Sequence, residues 1–214
     1  MPDNDLMTPA RPLPLTDAPQ LGLRERKKIK TRTAIRDATY ALIEEQGYEA
    51  TTIEQIADRA EVSPSTVFRY FPTKEDIVLT DEYDPVMLEE LRTRPVDEPW
   101  MDSVRHIMHK AIDVSDEMVR ITRVRAHLMV QVPAVRARMM ESMSVTGKLL
   151  SQAVAERTGR DPEDLEVRVY TMSLIGGLSE IYQYWAENDM EEDLHTLLER
   201  ALTVLDRGLP TKNS

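Results

Sequence analysis

Cysteine is absent from the 214 residues, which removes disulfides and thiolate chemistry from any account of the chain. Aromatic residues make up only 5%, with Phe 2 and Trp 2, so a core rests on aliphatic side chains and on Met 12, a high number of flexible thioethers. Gly 7 in all leaves no glycine-rich phosphate loop, and no Ser/His/acid set has a neighbourhood that can be argued, so nothing positive supports catalysis. No apolar run approaches the length of a membrane span. The stretch Met1 to Gln20 has neither the basic n-region nor the apolar h-region of a secretory signal. With hydrophobic residues at 41% and charged residues at 30%, the expectation is a cytoplasmic, soluble, globular protein of one large domain or two unequal ones.

Positive charge is also short overall: the formal net charge is −11. That argues against coating nucleic acid through bulk charge. The distribution is uneven, however. Arg24, Arg26, Lys27, Lys28, Lys30, Arg32 and Arg36 fall within one short stretch opposed only by Glu25. A local basic patch on an acidic body grips phosphates at one chosen surface; taken alone, the same run is also a solvated helix face.

Periodicity is helical throughout, with no convincing strand. Residues 1–22, rich in proline, read as a disordered arm, within which Met7 is an alternative start. A helix from Arg24 to Gln46 carries Ile35, Ala38 and Leu42 on one face and stops at Gly47. Thr51 to Glu54 has the spacing of a capping box and opens a second helix, whose inner face is Ile53, Ile56, Ala57 and Ala60. Ser63 as N-cap and Pro64 at the first helical position open a third, which ends near Pro72. Thr73 with Asp76 caps a fourth, expected to run to Leu91. Further helices are expected over Trp100–Val114, Asp116–Val132, Pro133–Thr158, Asp161–Asn188 and Glu191–Leu209. The fold class is all-α: an N-terminal three-helix helix-turn-helix unit over 23–72, and a larger helical domain over 73–210.

On the third helix Val67 and Phe71 are four apart and plug the small core, so Ser65, Thr66, Arg69 and Tyr70 point outward. Arginine reads guanine through a bidentate fork, while hydroxyls and helix N-terminal amides suit phosphates. Ser63 heads this helix, Thr52 and Lys74 flank it, and Lys27 and Lys28 lie upstream to hold the DNA backbone. The pattern Arg32, Ile35, Ala38, Leu42, Gly47-Tyr48, Thr51-Thr52-Ile53, Ile56-Ala57, Ala60, Val62-Ser63, Thr66-Val67-Phe68-Arg69-Tyr70-Phe71, Lys74-Glu75 resembles the N-terminal signature of TetR-type transcriptional regulators. The resemblance covers residues 24–80. It implies a DNA-binding head, a helical ligand-binding and dimerisation domain, and repression relieved by a small molecule, with two reading helices meeting successive major grooves of a near-palindromic operator. Two positions depart from the pattern. Glu61 stands in a turn where the family has Gly, and Phe68 replaces Tyr, which suggests packing in place of a hydroxyl contact.

The larger domain is less explicit. Leu174, Gly177, Leu178 and Ile181 on one helix and Leu198, Leu202 and Leu205 on the last suit either the dimer interface that the resemblance implies or an internal core. Met108, Met129, Met143 and Met172 are candidates to line an adaptable apolar cavity. Arg125 lies inside an apolar face, where it meets either an anionic head group or an internal carboxylate such as Glu180. Asp102, His106, His109 and Asp113 share a helix face, but that face is opposite the apolar one and a solvated face does not close a coordination sphere, so no metal and no cofactor is expected. The reading is a homodimeric regulator of double-stranded DNA, with an unidentified small-molecule effector and no membrane partner; an activator, or an apolar-ligand sensor with weak DNA binding, is the alternative.

Overall fold

A computed structural model describes residues 22–80, 84–112 and 116–209, and within them the regular structure is helical. The order is α1 Leu23–Gln46, α2 Ile53–Arg59, α3 Pro64–Tyr70, α4 Lys74–Leu79, α5 Asp84–Thr93, α6 Trp100–Ile112, α7 Asp116–Gln131, α8 Pro133–Thr158, α9 Leu165–Glu187 and α10 Leu194–Arg207. The reading of residues 1–21 and of Asp113 lies outside the described residues. Helices α1 to α3 make a small head around Ile35, Leu42, Ile56, Ala57, Val67, Phe71 and Ile77. A larger body of α5, α6, α9 and α10 packs around Leu174, Ile181, Trp185, Leu198 and Leu202. Between the two lies a junction core of Ile43, Tyr48, Val78, Leu128, Met129, Val132 and Val135.

Local chemistry explains where helices start and stop. Gly47, Gly159 and Gly208 end α1, α8 and α10 at φ of 85°, 70° and 80°; Gly159 is left-handed helical, and Gly47 and Gly208 have extended ψ, a combination that essentially only glycine adopts. The capping box of α2 is shifted by one residue from the expected place. Thr52 caps, with its backbone N–H held by Gln55, while Thr51 is buried and donates to the Gly47 carbonyl at 2.9 Å. The fourth helix does not run through to Leu91. Thr80 leaves it in extended backbone, and Pro85, which cannot sit in a helix interior, enters α5 in its first turn. Helix α9 begins at Leu165 instead of Asp161, because the Asp161 side chain turns back to accept from the Glu163 N–H at 2.8 Å and makes a local turn that competes with helix. Helix α10 starts at Leu194 behind an Asp193 cap, after Asp189 and Met190 adopt left-handed φ of 56° and 57°.

The short α4 connects head and body. Lys74 Nζ donates to the carbonyls of Tyr48 (2.8 Å) and Thr51 (2.9 Å) and lies over the Tyr48 ring. Glu75 accepts from the Tyr48 hydroxyl at 2.6 Å. Asp76 accepts from Arg138 of α8 at 2.7 Å, and the Val78 carbonyl accepts from Tyr40 of α1 (2.7 Å) and Arg125 of α7 (3.1 Å). Burial pushes the Tyr48 phenol well above its usual range, and the bond to Glu75 adds to the effect. Burial opposes ionisation of Glu75, but the Tyr48 hydroxyl and the bonds at the start of α4 outweigh it and hold the carboxyl below its ordinary value.

The leucine stripe of the last two helices faces inward. Leu174, Ile181, Leu198 and Leu202 are 1%, 7%, 1% and 0% exposed within a single chain, so they form the protomer's own core. Leu178 and Leu205 pack against the same core, and Gly177 lets Leu205 come close: a Cβ there would stand 3.0 Å from a Leu205 methyl. The apolar residues that α9 and α10 leave outward are Leu165, Val169, Met172 and Val204.

Tyr48→Phe removes the donor to Glu75 and is expected to cost about 2 kcal/mol at pH 7, roughly 4–8 °C in Tm. Because the Glu75 carboxyl is depressed in the folded state, this contribution is present above its unfolded value near 4.3 and is lost as pH falls through the folded one. Urea unfolding of both proteins between pH 7 and pH 4 should therefore show the gap narrowing; a constant or widening gap contradicts the assignment.

Candidate nucleic-acid interface

The third helix is seated as its spacing requires. Val67 and Phe71 are 0% and 1% exposed in the head core. Ser63 caps the start, accepting from the Thr66 N–H at 3.2 Å, and its hydroxyl lies 2.9 Å from those of both Ser65 and Thr66. The turn before it is closed by Val62 N–H to the Ala57 carbonyl (2.9 Å), with Glu61 at φ 55°, the left-handed backbone that the sequence demands of a residue ill suited to it. At the other end Arg32 of α1 donates to the Tyr70 carbonyl at 3.2 Å and lies over the Phe71 ring, 4.5 Å from its centroid. Both ends of α3 are thus tied, and its rotation about its own axis is set by two apolar plugs.

What that rotation exposes is specific. Ser65 and Arg69 face solvent, and Thr66 is half-buried, with Arg69 Nη2 at 3.4 Å from its hydroxyl. Tyr70 is also half-buried: its ring packs on the head core beneath the Arg69 guanidinium. Phe68 does not pack inward as expected. It is 53% exposed on the same face as Ser65 and Arg69, a placement that the inward pair Val67 and Phe71 already dictates at helical pitch. Thr52 is exposed at the start of α2. Lys27 and Lys28 are exposed on α1, and Lys28 lies one turn before Arg32, which touches the end of α3. Lys74 is different, its ammonium being turned to two backbone carbonyls and so bracing the surface from within. Arg32 and Arg36 leave the basic patch as well: the first is held by α3, and the second is 5% exposed.

The candidate effector residues fall in different surroundings. Met108 packs at the edge of the body core, Met129 is buried in the junction core, Met143 is half-buried on α8, and Met172 is 42% exposed on α9. Arg125 does not turn to Glu180. Its Nε donates to the Val78 carbonyl at 3.1 Å and lies 3.4 Å from the Tyr40 hydroxyl, which places it at the junction with the head. The face carrying Asp102 and His109 is not simply solvated. His109 Nδ1 lies 2.7 Å from His195 Nδ1 with the rings stacked, its Nε2 lies 2.6 Å from Glu199, and Arg105 holds Asp102 and Glu199. Among the described residues no group of three or more His, Asp or Glu is placed to hold a metal ion. Nor is any described helix long and apolar enough to cross a membrane.

Comparison with known proteins accords with this geometry. Residues 35–80 match the family described as bacterial regulatory proteins, tetR family, and residues 98–210 match the MftR C-terminal domain. The HTH-type transcriptional regulator TcmR of Streptomyces glaucescens is 32% identical over 151 residues, 67% of this chain and 67% of that protein. The fatty acid metabolism regulator protein of Bacillus subtilis is 24% identical over 184 residues, 82% of this chain and 94% of that one. Among solved structures, the transcriptional regulator FadR from Bacillus subtilis in complex with stearoyl-CoA shares the fold at a TM-score of 0.56 and 22% identity, covering 83% of this chain and 99% of its own. With its helix-turn-helix head and its MftR-type body both matched, the chain belongs to the TetR family and is a transcriptional regulator.

Proposed function

We propose that this regulator is a homodimeric repressor that reads a near-palindromic operator through α3 and leaves it when a small apolar or acyl-type effector enters the body. The observation that carries the DNA-reading part is the outward face of α3. Ser65, Phe68 and Arg69 stand in solvent on a helix whose rotation is fixed from behind by Val67 and Phe71. Arg69 supplies the fork for a base edge, Phe68 an apolar surface for a thymine methyl, and the hydroxyls of Ser63, Ser65 and Thr66, with Thr52, meet phosphates. Lys27 and Lys28 hold the flanking backbone, and Lys74 keeps this face in register without itself touching DNA.

Two heads need a second copy, and the outward apolar residues Val169 and Met172 of α9 with Val204 of α10 are the surface that a two-fold partner would cover. For the effector, the similarity in fold to a regulator solved with stearoyl-CoA favours an acyl compound. A cleft lined by Ala111, Ile112, Val119, Tyr182, Trp185 and Leu194, with a volume of only about 20 Å³, marks the seam between α6, α7, α9 and α10. An apolar chain entering there, beside Met108, would part these helices and shift α7 against the head, a rigid-body change that biases the spacing of the two reading helices.

Arg69→Ala is expected to relax preference at one base pair by about 1–3 kcal/mol, while Lys27→Ala and Lys28→Ala weaken all sequences alike and each lower the salt slope by about one. Fluorescence anisotropy on specific and scrambled duplexes across a salt series measures both; an equal loss on the two duplexes for Arg69→Ala removes its reading role. Separately, Val169→Arg should give a monomer by light scattering with weakened operator binding, and a dimer unchanged at micromolar protein would place the interface elsewhere.

A further inference from the structure

Arg36 is buried at 5% exposure in the middle of α1, and its Nε and Nη1 find no acceptor. Two buried guanidinium N–H groups without an acceptor are costly in a folded chain, and an anion placed against them would relieve that cost. Its position is informative. Arg36, Tyr40 and Ile43 follow one another at helical spacing on the α1 face that the rest of the molecule covers: Tyr40 donates to the Val78 carbonyl of α4, and Ile43 lies in the junction core with Val78, Leu128 and Met129. Helical side chains lean toward the N-terminus, so the Tyr40 ring reaches back over the turn that carries Arg36. The Tyr40 hydroxyl, 3.4 Å from Arg125 Nε, brings a second cation to the same end of the junction.

We propose that Arg36 is the seat of a carboxylate or phosphate group belonging to the effector, bound where the head meets α4 and α7. The free Nε and Nη1 of Arg36 can donate to such a group bidentately, and the side chains of the junction core beside it are apolar, as an attached chain requires. The proposal rests on the effector reading above only for the source of the anion. The same chemistry has a second source in the chain's own Asp81 and Glu82, which lie outside the described residues and follow Thr80 in sequence.

The two sources predict opposite effects of Arg36→Met. If the effector supplies the anion, the ligand-free variant unfolds at the same temperature as the native protein or above it, since a buried unpaired charge has been replaced by an apolar side chain of similar length. If an internal carboxylate supplies it, the variant unfolds several degrees lower or fails to fold, and the proposal is overturned. Calorimetric titration of full-length, DNA-free protein with laurate and with lauroyl-CoA completes the test. The native protein should bind at least one of them, and Arg36→Met should bind it about tenfold or more weakly. Dodecanol, which has the chain without the charge, should show no difference between the two proteins. Binding of both anionic probes equally by native and variant protein, or by neither, removes the site. Because no DNA is present, that failure leaves the DNA-reading proposal standing.

Discussion

The structure depends on how few atoms hold α4 in place. Six residues carry the load between head and body, and almost every polar group on them is committed to a different element. Lys74 reaches the loop after α1, Glu75 takes the Tyr48 hydroxyl, Asp76 takes Arg138 of α8, and the Val78 carbonyl takes Tyr40 and Arg125. Below these bonds Ile77 and Val78 are both 0% exposed, one in the head core and the other in the junction core. A segment this short has little stability of its own. It is helical because it is pinned from several sides, and a change in the body that moves α7 or α8 acts on the head through it and through the direct contact of α7 with α1.

That arrangement gives physical content to regulation in a mostly acidic, helical protein. The reading face on α3 is fixed against the head by two apolar side chains, and the head is fixed against the body by a handful of directional bonds, so the two levels differ in stiffness. Close packing around Val67 and Phe71 resists continuous deformation, whereas the junction is held by directional bonds, each of which has discrete partners. Under the proposed function, displacement would concentrate at the junction and leave the recognition surface intact, as a switch acting on the spacing between two reading helices requires.

Much of the head was legible in the sequence because its determinants are local. Ser63, Pro64, Val67 and Phe71 define a capped helix and its inward face within nine residues, and Gly47 and Gly159 mark stops by their backbone freedom alone. Where two threonines stand together, the Thr51–Glu54 spacing pointed to the wrong one: Thr51 donates to Gly47 and Thr52 caps. Pro85 was a sequence signal for the break between α4 and α5 that the expected continuous helix to Leu91 passed over. Long-range partners were not legible. Arg125 meets Tyr40 and Val78, His109 meets His195, and Lys74 meets the Tyr48 carbonyl across separations that no periodicity records. The leucine stripe of α9 and α10 is a further case, since a core and an interface call for the same residues and only burial within one chain separates them. The candidate site was therefore readable as a surface, while the bonds that orient it were not.

The central claim is that a rigidly seated α3 reads base edges, in two copies held at a set distance by the body. Selection of bound sequences from a random pool of duplex DNA, with the purified full-length protein, tests it most directly. The account predicts enrichment of one inverted repeat whose half-site centres lie about one helical turn, or a whole number of turns, apart. Recovery of sequences no different from the starting pool at low salt, or of half-sites at random spacing, would contradict it.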